Sequence, residues 1–299
     1  MSETILPTSG VPAPAAAGTP AASETPAGIT PAAVAAPATV GELERALLSA
    51  VPASDAEHWD RVGLSVGDPS ATLTGVACAL DVTPENIRAA RAAGANVLLT
   101  HHPVCLSMPA RICPQSAGTP TPASSIWEAV ASGVSLIALH TNLDRATQAT
   151  LAIPRALGIE ATSGLERHRP AGAGRLGSTA TLEEPLALRE LARRCRETFG
   201  RLSQVFGDPD APVRRVAFYT GSMGGEGCAD VVAARVDVAI CGECGYHRAL
   251  DLVSGGTAVI ILGHDVSELP LVACLRDVAL SCGVAPERLC ILPEPHRWF

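Results

Sequence analysis

From position 40 onward the chain switches repeatedly between helical and strand-like hydrophobic patterning. Apolar residues at Leu43, Ala46, Leu47 and Ala50 recur at helical spacing and predict a helix over 40–51. The apolar run 75–80 reads as a strand, a Thr-Pro-Glu start predicts a helix over 83–93, and 96–100 reads as the next strand. A helix over 125–132 leads to a strand over 134–139. Residues 164–185 are Gly-rich and polar around a short strand at 176–180. The alternation then resumes, with helices over 186–198, 229–235, 248–254 and 269–281 and strands over 215–220, 238–241 and 258–262. Short buried strands alternating with helices predict βαβ units, hence an α/β fold with a mainly parallel or mixed sheet. The second half repeats the architecture of the first without a close sequence repeat. Two similar α/β lobes are expected, over 39–163 and 164–299.

Residues 1–38 are almost wholly Ala, Pro, Thr, Ser and Gly, which predicts a disordered tail acting as a spacer. The whole chain has 299 residues, 47% hydrophobic but only 3% aromatic, so its core must be built from Ala, Val, Leu and Ile. A formal net charge of -8 and the lack of a Lys/Arg-rich stripe argue against nucleic acid as a partner. No apolar run is long enough to span a membrane, and the N-terminus does not read as a secretion signal. Ten cysteines lie without framework spacing, mostly in apolar runs, as expected of reduced thiols in a cytoplasmic protein.

The candidate chemistry sits at strand ends. The strand over 96–100 delivers His101 and His102 and is stopped by Pro103. The strand over 134–139 delivers His140 and, four residues later, Asp144. The strand over 258–262 delivers His264 and Glu268, close to one helical turn apart. Open α/β sheets place their sites at the carboxyl ends of strands. Adjacent histidines also occur in ordinary loops, and a hydrogen-bonded polar cluster is the alternative to a metal. Three strand ends carrying four of eight histidines and two spaced carboxylates favour the metal. Mixed imidazole and carboxylate ligation suits zinc, iron, manganese or nickel better than calcium.

Other segments carry weaker signals. The glycine-rich stretch from Gly221 to Gly227 follows a strand and precedes a helix, so it either receives a phosphate or makes a tight turn. Cys241 and Cys244 lack the second cysteine pair of a zinc knuckle. His247 is either a proton donor beside the substrate or a cap on the helix over 248–254.

Four strings in order, Trp59-Asp60-Arg61-Val62-Gly63-Leu64, His101-His102-Pro103, His140-Thr141-Asn142-Leu143-Asp144 and Gly263-His264 with Glu268, give the chain a family likeness. Over about residues 40–299 it resembles the Nif three-like family of dinuclear-metal proteins, labelled the type 2 homolog of GTP cyclohydrolase I. The resemblance implies two α/β lobes with a metal pair in their cleft and a toroidal homohexamer, a trimer of dimers. It also implies two divalent ions held by His101, His102, Asp144, His264 and Glu268, with His140 beside them. Metal-assisted hydrolysis of a small-molecule substrate, a nucleotide or small heterocycle, follows as the expected activity, with Glu268 or Asp144 bridging and His247 as proton donor. The alternative is a non-enzymatic hexamer that binds, delivers or regulates through metal. Two departures bear on substrate contacts: Arg61 replaces the family's asparagine, and residues 104–109 lack the family's aromatic and lysine.

Overall fold

The computed structural model describes residues 35–201 and 204–294, so most of the segment expected as a tail lies outside the described residues. The first half runs α1 (Val40–Ala50), β1 (Gly63–Val66), β2 (Val76–Ala79), α2 (Pro84–Ala92), β3 (Val97–Thr100), α3 (Thr121–Ser132) and β4 (Ser135–Ala138). Three short helices follow, α4 (Thr141–Asp144), α5 (Thr147–Thr150) and α6 (Ala152–Ala156). The second half begins with β5 (Thr162–Ser163), β6 (Ser178–Ala187), α7 (Leu188–Phe199), β7 (Gln204–Phe206) and β8 (Pro212–Ser222). It continues through α8 (Gly225–Ala234), β9 (Val238–Glu243), α9 (Tyr246–Ser254), β10 (Ala258–Ile261), α10 (His264–Ser281) and β11 (Leu289–Ile291).

Local chemistry sets the helix starts. The Thr39 hydroxyl accepts from the Glu42 N–H at 3.2 Å while the Glu42 carboxylate accepts from the Thr39 N–H at 3.3 Å, a reciprocal cap that starts α1. That orients Val40, Leu43 and Leu47 into the core. At α2 the Thr83 hydroxyl accepts from the Asn86 N–H at 3.1 Å, a one-way cap, and Pro84 occupies the first helical position, where its missing N–H costs nothing.

Two mixed sheets result. The first has the order β1-β4-β3-β2-β11, with β4, β3, β2 and β11 parallel and β1 antiparallel at one edge. The second has the order β5-β6-β8-β9-β10-β7, a parallel centre of β8, β9 and β10 flanked by antiparallel neighbours. The sheets join through α10. Its first turn puts Val266 into the core of the second sheet, while Leu271, Leu275 and Val278 pack into the core of the first. After α10 the chain crosses back, so β11 pairs with β2 rather than with the second sheet.

The pattern of hydrophobic residues places α10 from 269, but the helix starts at His264. Gly263 takes a φ of +106°, which turns the chain out of β10 in a way a side chain would resist. The first turn is polar on the face that meets the first sheet, so it carries no apolar period to read. The strands β5, β7 and β11, two or three residues long, are likewise too brief to show one, and β1 buries only Gly63 of its four residues.

Candidate metal centre

β3 and β4 are parallel neighbours with Thr100 opposite Ala138, so the residues that follow each strand emerge at one end of the sheet. Backbone pairing continues past both, with the His102 N–H donating to Leu80 O at 3.0 Å and the Leu139 N–H to Thr100 O at 3.0 Å. His101, His102 and His140 are thereby held side by side, with ring centroids 5.0–5.6 Å apart. Asp144 arrives one turn after His140 at the end of α4, its N–H bonded to His140 O. From the other sheet, α10 brings His264 and Glu268 on one face.

The six side chains form one cluster. His101 Nε2 lies 3.5 Å from Asp144 Oδ1 and 3.6 Å from Glu268 Oε1. The second oxygen of Glu268 lies 3.0 Å from His102 Nε2 and 3.2 Å from His264 Nε2. Three overlapping groups have ligand atoms close enough to share a cation: His101, His102 and His140; His101, Asp144 and Glu268; His102, His264 and Glu268. Burial is graded across them. His101 is fully buried and Glu268 nearly so, whereas His264 is 37% exposed along its side chain, so the cluster opens to solvent on the His264 side.

Each imidazole has its other nitrogen occupied. His101 Nδ1 faces Leu139 O at 3.1 Å, His102 Nδ1 faces Asp81 Oδ1 at 2.8 Å, and His140 Nδ1 faces Asp60 Oδ1 at 2.7 Å. His264 Nδ1 lies 3.1 Å from Glu243 Oε2. Such partners orient a ligand's ring and aim its Nε2 at a common point. Asp60 is itself held by the Thr141 N–H at 3.0 Å and the Thr141 hydroxyl. Asp81 and Leu139 carried no recognisable signal, because a lone carboxylate after β2 and a backbone carbonyl look like any other until the strands are side by side.

Electrostatics follow from this packing. Burial resists protonation of His102, but Asp81 and Glu268 outweigh it and raise its pKa to about 10. Glu268, against the opposing effect of burial and helped by Glu243, lifts His264 to about 9. Burial also opposes ionisation of Glu268, yet His101, His102 and His264 hold its carboxyl far below the usual range. Asp144 moves the other way, raised by burial more than His101 lowers it. Asp60 is held low by His140 and Thr141 in spite of its burial.

Among the described residues, His101 Nε2 and Glu268 Oε2 are buried atoms with no hydrogen-bond partner. They stand within ion-pair distance of their neighbours, but off the hydrogen-bonding direction, converging on the space between. Buried polar atoms left this way are costly, and a divalent cation satisfies them. The donor set of imidazole nitrogens and carboxylate oxygens fits such an ion.

Backbone space is arranged for Glu268. Gly221, at the end of β8, has a φ of +62°, and a Cβ there would collide with Glu268 Oε1. A Cβ on Gly242 would strike Ser267 Oγ, which itself accepts from the Gly221 N–H at 2.9 Å. The glycine-rich segment read as a phosphate loop or tight turn thus begins with a residue that makes room for the cluster.

His247 is not brought to the cluster. It stands exposed on the first turn of α9 with its ring edge against Tyr246, 5.4 Å between centroids, and belongs to none of the three groups. Cys241 is buried in the second lobe and all described cysteines are free. Among the described residues, no helix is long and apolar enough to cross a membrane.

Fold and cluster together define a two-lobed α/β protein with a set of His, Asp and Glu residues that could hold a metal ion where the two sheets meet. The chain belongs to the DUF34/NIF3 family (NGG1p interacting factor 3), whose model matches residues 38–281. A Streptomyces coelicolor relative called GTP cyclohydrolase 1 type 2 homolog is 34% identical over 87% of this chain and 88% of its own length. A Clostridium acetobutylicum protein of the same name is 31% identical over 75% of this chain and 83% of its own. Among solved structures, a Staphylococcus aureus hypothetical protein superposes with a TM-score of 0.75 at 21% identity, covering 88% of this chain and 100% of that one. A Bacillus cereus protein related to NIF3 gives 0.74 at 17% identity, covering 87% and 97%.

Proposed function

We propose that this protein is a dinuclear-metal-dependent hydrolase acting on a nucleotide or another small heterocycle. The observation that carries the reading is the shared carboxylate of Glu268. One of its oxygens belongs with His101 and Asp144, the other with His102 and His264, which suits a group bridging two ions. Two divalent cations held there by His101, His102, His140, Asp144, His264 and Glu268 would supply Lewis acidity and activate water near neutral pH. The chain's own contribution is positioning. Asp60, Asp81 and Glu243 fix the rings, while the depth of His101 and Glu268 keeps bulk water from the inner side. His247, four residues beyond Glu243, is the proposed proton donor and reaches the reacting atoms only through bound substrate or water. The name carried by the relatives makes a purine nucleotide the first substrate to try. A homohexamer built as a trimer of dimers is the proposed assembly, read out by native mass spectrometry.

The test is reconstitution with defined zinc, iron, manganese or nickel, followed by metal analysis and a turnover screen over nucleotides and related heterocycles. Two ions per chain and hydrolysis are expected, with Glu268→Gln losing both. A Glu268→Gln protein that keeps two ions and full turnover overturns the mechanism. Rapid metal exchange with no turnover on any substrate assigns the protein a delivery role instead.

A further inference from the structure

A cavity of about 610 Å³ lies beside the cluster, on the outer edge of the first sheet. Its floor is apolar: Val66 at the end of β1, Val104 just past His102, and Ile126 on α3, of which Val104 and Ile126 are buried. Leu106 and Met108 form its rim and are 46% and 69% exposed. Arg61 stands at one end. Volumes of about 300–1,000 Å³ with apolar walls and a few polar groups are what small organic ligands occupy.

Arg61 is the informative member. It is exposed, and among the described residues its guanidinium enters no ion pair or hydrogen bond; only its backbone N–H is used, donating to Asp60 Oδ1 at 2.7 Å. Its place relative to the cluster follows from strand register. β1 runs antiparallel to β4, with Gly63 opposite Ala138 and Val66 opposite Leu136. Arg61, ahead of Gly63, therefore lies at the end of the cavity nearest His140, and Val66 marks the far end. Asp60 holds His140, and Trp59 stands edge-on to the same ring at a centroid distance of 6.1 Å. The cavity thus has its cationic residue at the end of β1 that lies toward His140 and its apolar residues further along, while the six cluster residues themselves lie outside its lining.

We infer that this cavity binds the substrate, and that the substrate is an amphiphilic organic anion. Its carboxylate, phosphate or sulfonate head pairs with Arg61 next to His140, and its apolar body lies over Val66, Val104 and Ile126. The inference rests on the metal-dependent reading of the cluster for its catalytic meaning, but the binding step is separable from it. A guanidinium presents a fork of donors matched to such oxyanions, and apolar walls strengthen the contact. The chain's overall negative charge makes an uncompensated arginine at this mouth a selective feature rather than part of a general basic surface.

The experiment titrates metal-loaded protein with 1-anilinonaphthalene-8-sulfonate, an apolar aryl anion, and in parallel with neutral N-phenyl-1-naphthylamine, following probe fluorescence. Wild-type protein is expected to bind the anion saturably at one site per chain, more weakly as salt rises. Arg61→Ala should weaken the anion about ten-fold and leave the neutral probe unchanged, because it removes one charge-assisted contact. Arg61→Lys should recover part of the loss. Leu106→Asp, which sets a carboxylate on the exposed rim, should also weaken the anion selectively. Equal affinity for the anion in wild type and Arg61→Ala, or equal losses for both probes, overturns the proposal. Metal content measured on the same samples separates the two readings. Two ions without charge-selective binding sinks the pocket alone, and charge-selective binding without ions sinks the metal-dependent function alone.

Discussion

Glu268 stands 3.6 Å from His101 Nε2 through one carboxylate oxygen and 3.0 Å from His102 Nε2 through the other. The two histidines leave β3 of the first sheet, and the carboxylate rides the first turn of the helix that follows β10 of the second. The geometry of the cluster is therefore the geometry of contact between the two lobes, and anything that shifts α10 shifts the ligands.

Gly221 controls that placement. Because a Cβ there meets Glu268 Oε1 and its φ is +62°, Gly221→Ala is expected to cost about 2 kcal/mol in folding and to displace the carboxylate. Denaturant unfolding reads the first effect and metal analysis of the purified variant the second. Wild-type occupancy in this variant would show that Glu268 does not hold the ions.

The partners of the imidazoles should matter nearly as much as the ligands. Asp81→Asn and Asp60→Asn each replace an acceptor that orients a ring, at 2.8 Å from His102 and 2.7 Å from His140. Each is expected to weaken metal binding about 10–100-fold, and also to lower the melting temperature of the metal-free protein, because the same carboxylates pair with the imidazoles there. Competition against a calibrated chelator measures it, and an unchanged affinity would count against the orienting role.

Arg145 ties the lobes together next to the cluster. Its side chain is buried, and it donates to both oxygens of Glu166 at 3.0 Å and to Asp55 O at 2.8 Å. Burial works against ionising Glu166, but Arg145 and the Leu176 N–H outweigh it and hold the carboxyl below its usual range. A carboxylate whose folded pKa is depressed adds stability that is complete above its unfolded pKa, about 4.3, and is lost as pH falls through the folded value. Wild-type stability should thus fall below about pH 4.3 more steeply than that of Glu166→Gln. Removing the partner by Glu166→Ala should cost about 1–2 kcal/mol at pH 7, because the buried Arg145 loses two charge-assisted hydrogen bonds but keeps its ion pair with Glu57. Melting curves across pH 3–8 check both, and parallel curves for wild type and Glu166→Gln would reject the linkage.

Chelation should weaken the protein without unfolding it. The cores of the two sheets are built from apolar side chains and include none of the six cluster residues, with Leu43, Leu99 and Leu275 in one and Leu191, Phe218 and Ile260 in the other. Metal at a hundred times its Kd is expected to add about 2.7 kcal/mol, a rise of roughly 5–10 °C in Tm that a chelator removes. Loss of helical circular dichroism at 25 °C on chelation would make the site structural.

Much of this was legible before folding. His101, His102, His140, Asp144, His264 and Glu268 each follow a short apolar strand, and a strand's end is visible as the point where an apolar run stops. The parallel centres of both sheets, β2 with β3 and β4, and β8 with β9 and β10, come from runs of that kind. The edges did not show. β1 buries one residue of four where β2, β3 and β4 bury all four, β11 is three residues long, and the pairing of both depends on which backbone edge is left open, a property of the assembled sheet.

The sequence by itself determined which atoms could bind a cation, because imidazole and carboxylate chemistry and the strand-end spacing that presents them are local. Only the tertiary structure decided which atoms share one. The assignment of Glu268 to both histidines, the service of Asp60, Asp81 and Leu139 to the rings, and the exposure of His247 away from them all depend on how α10 seats between two sheets. Distances between residues far apart in the chain are set by packing, where each small displacement is resisted by many close contacts at once, and no local pattern encodes that sum.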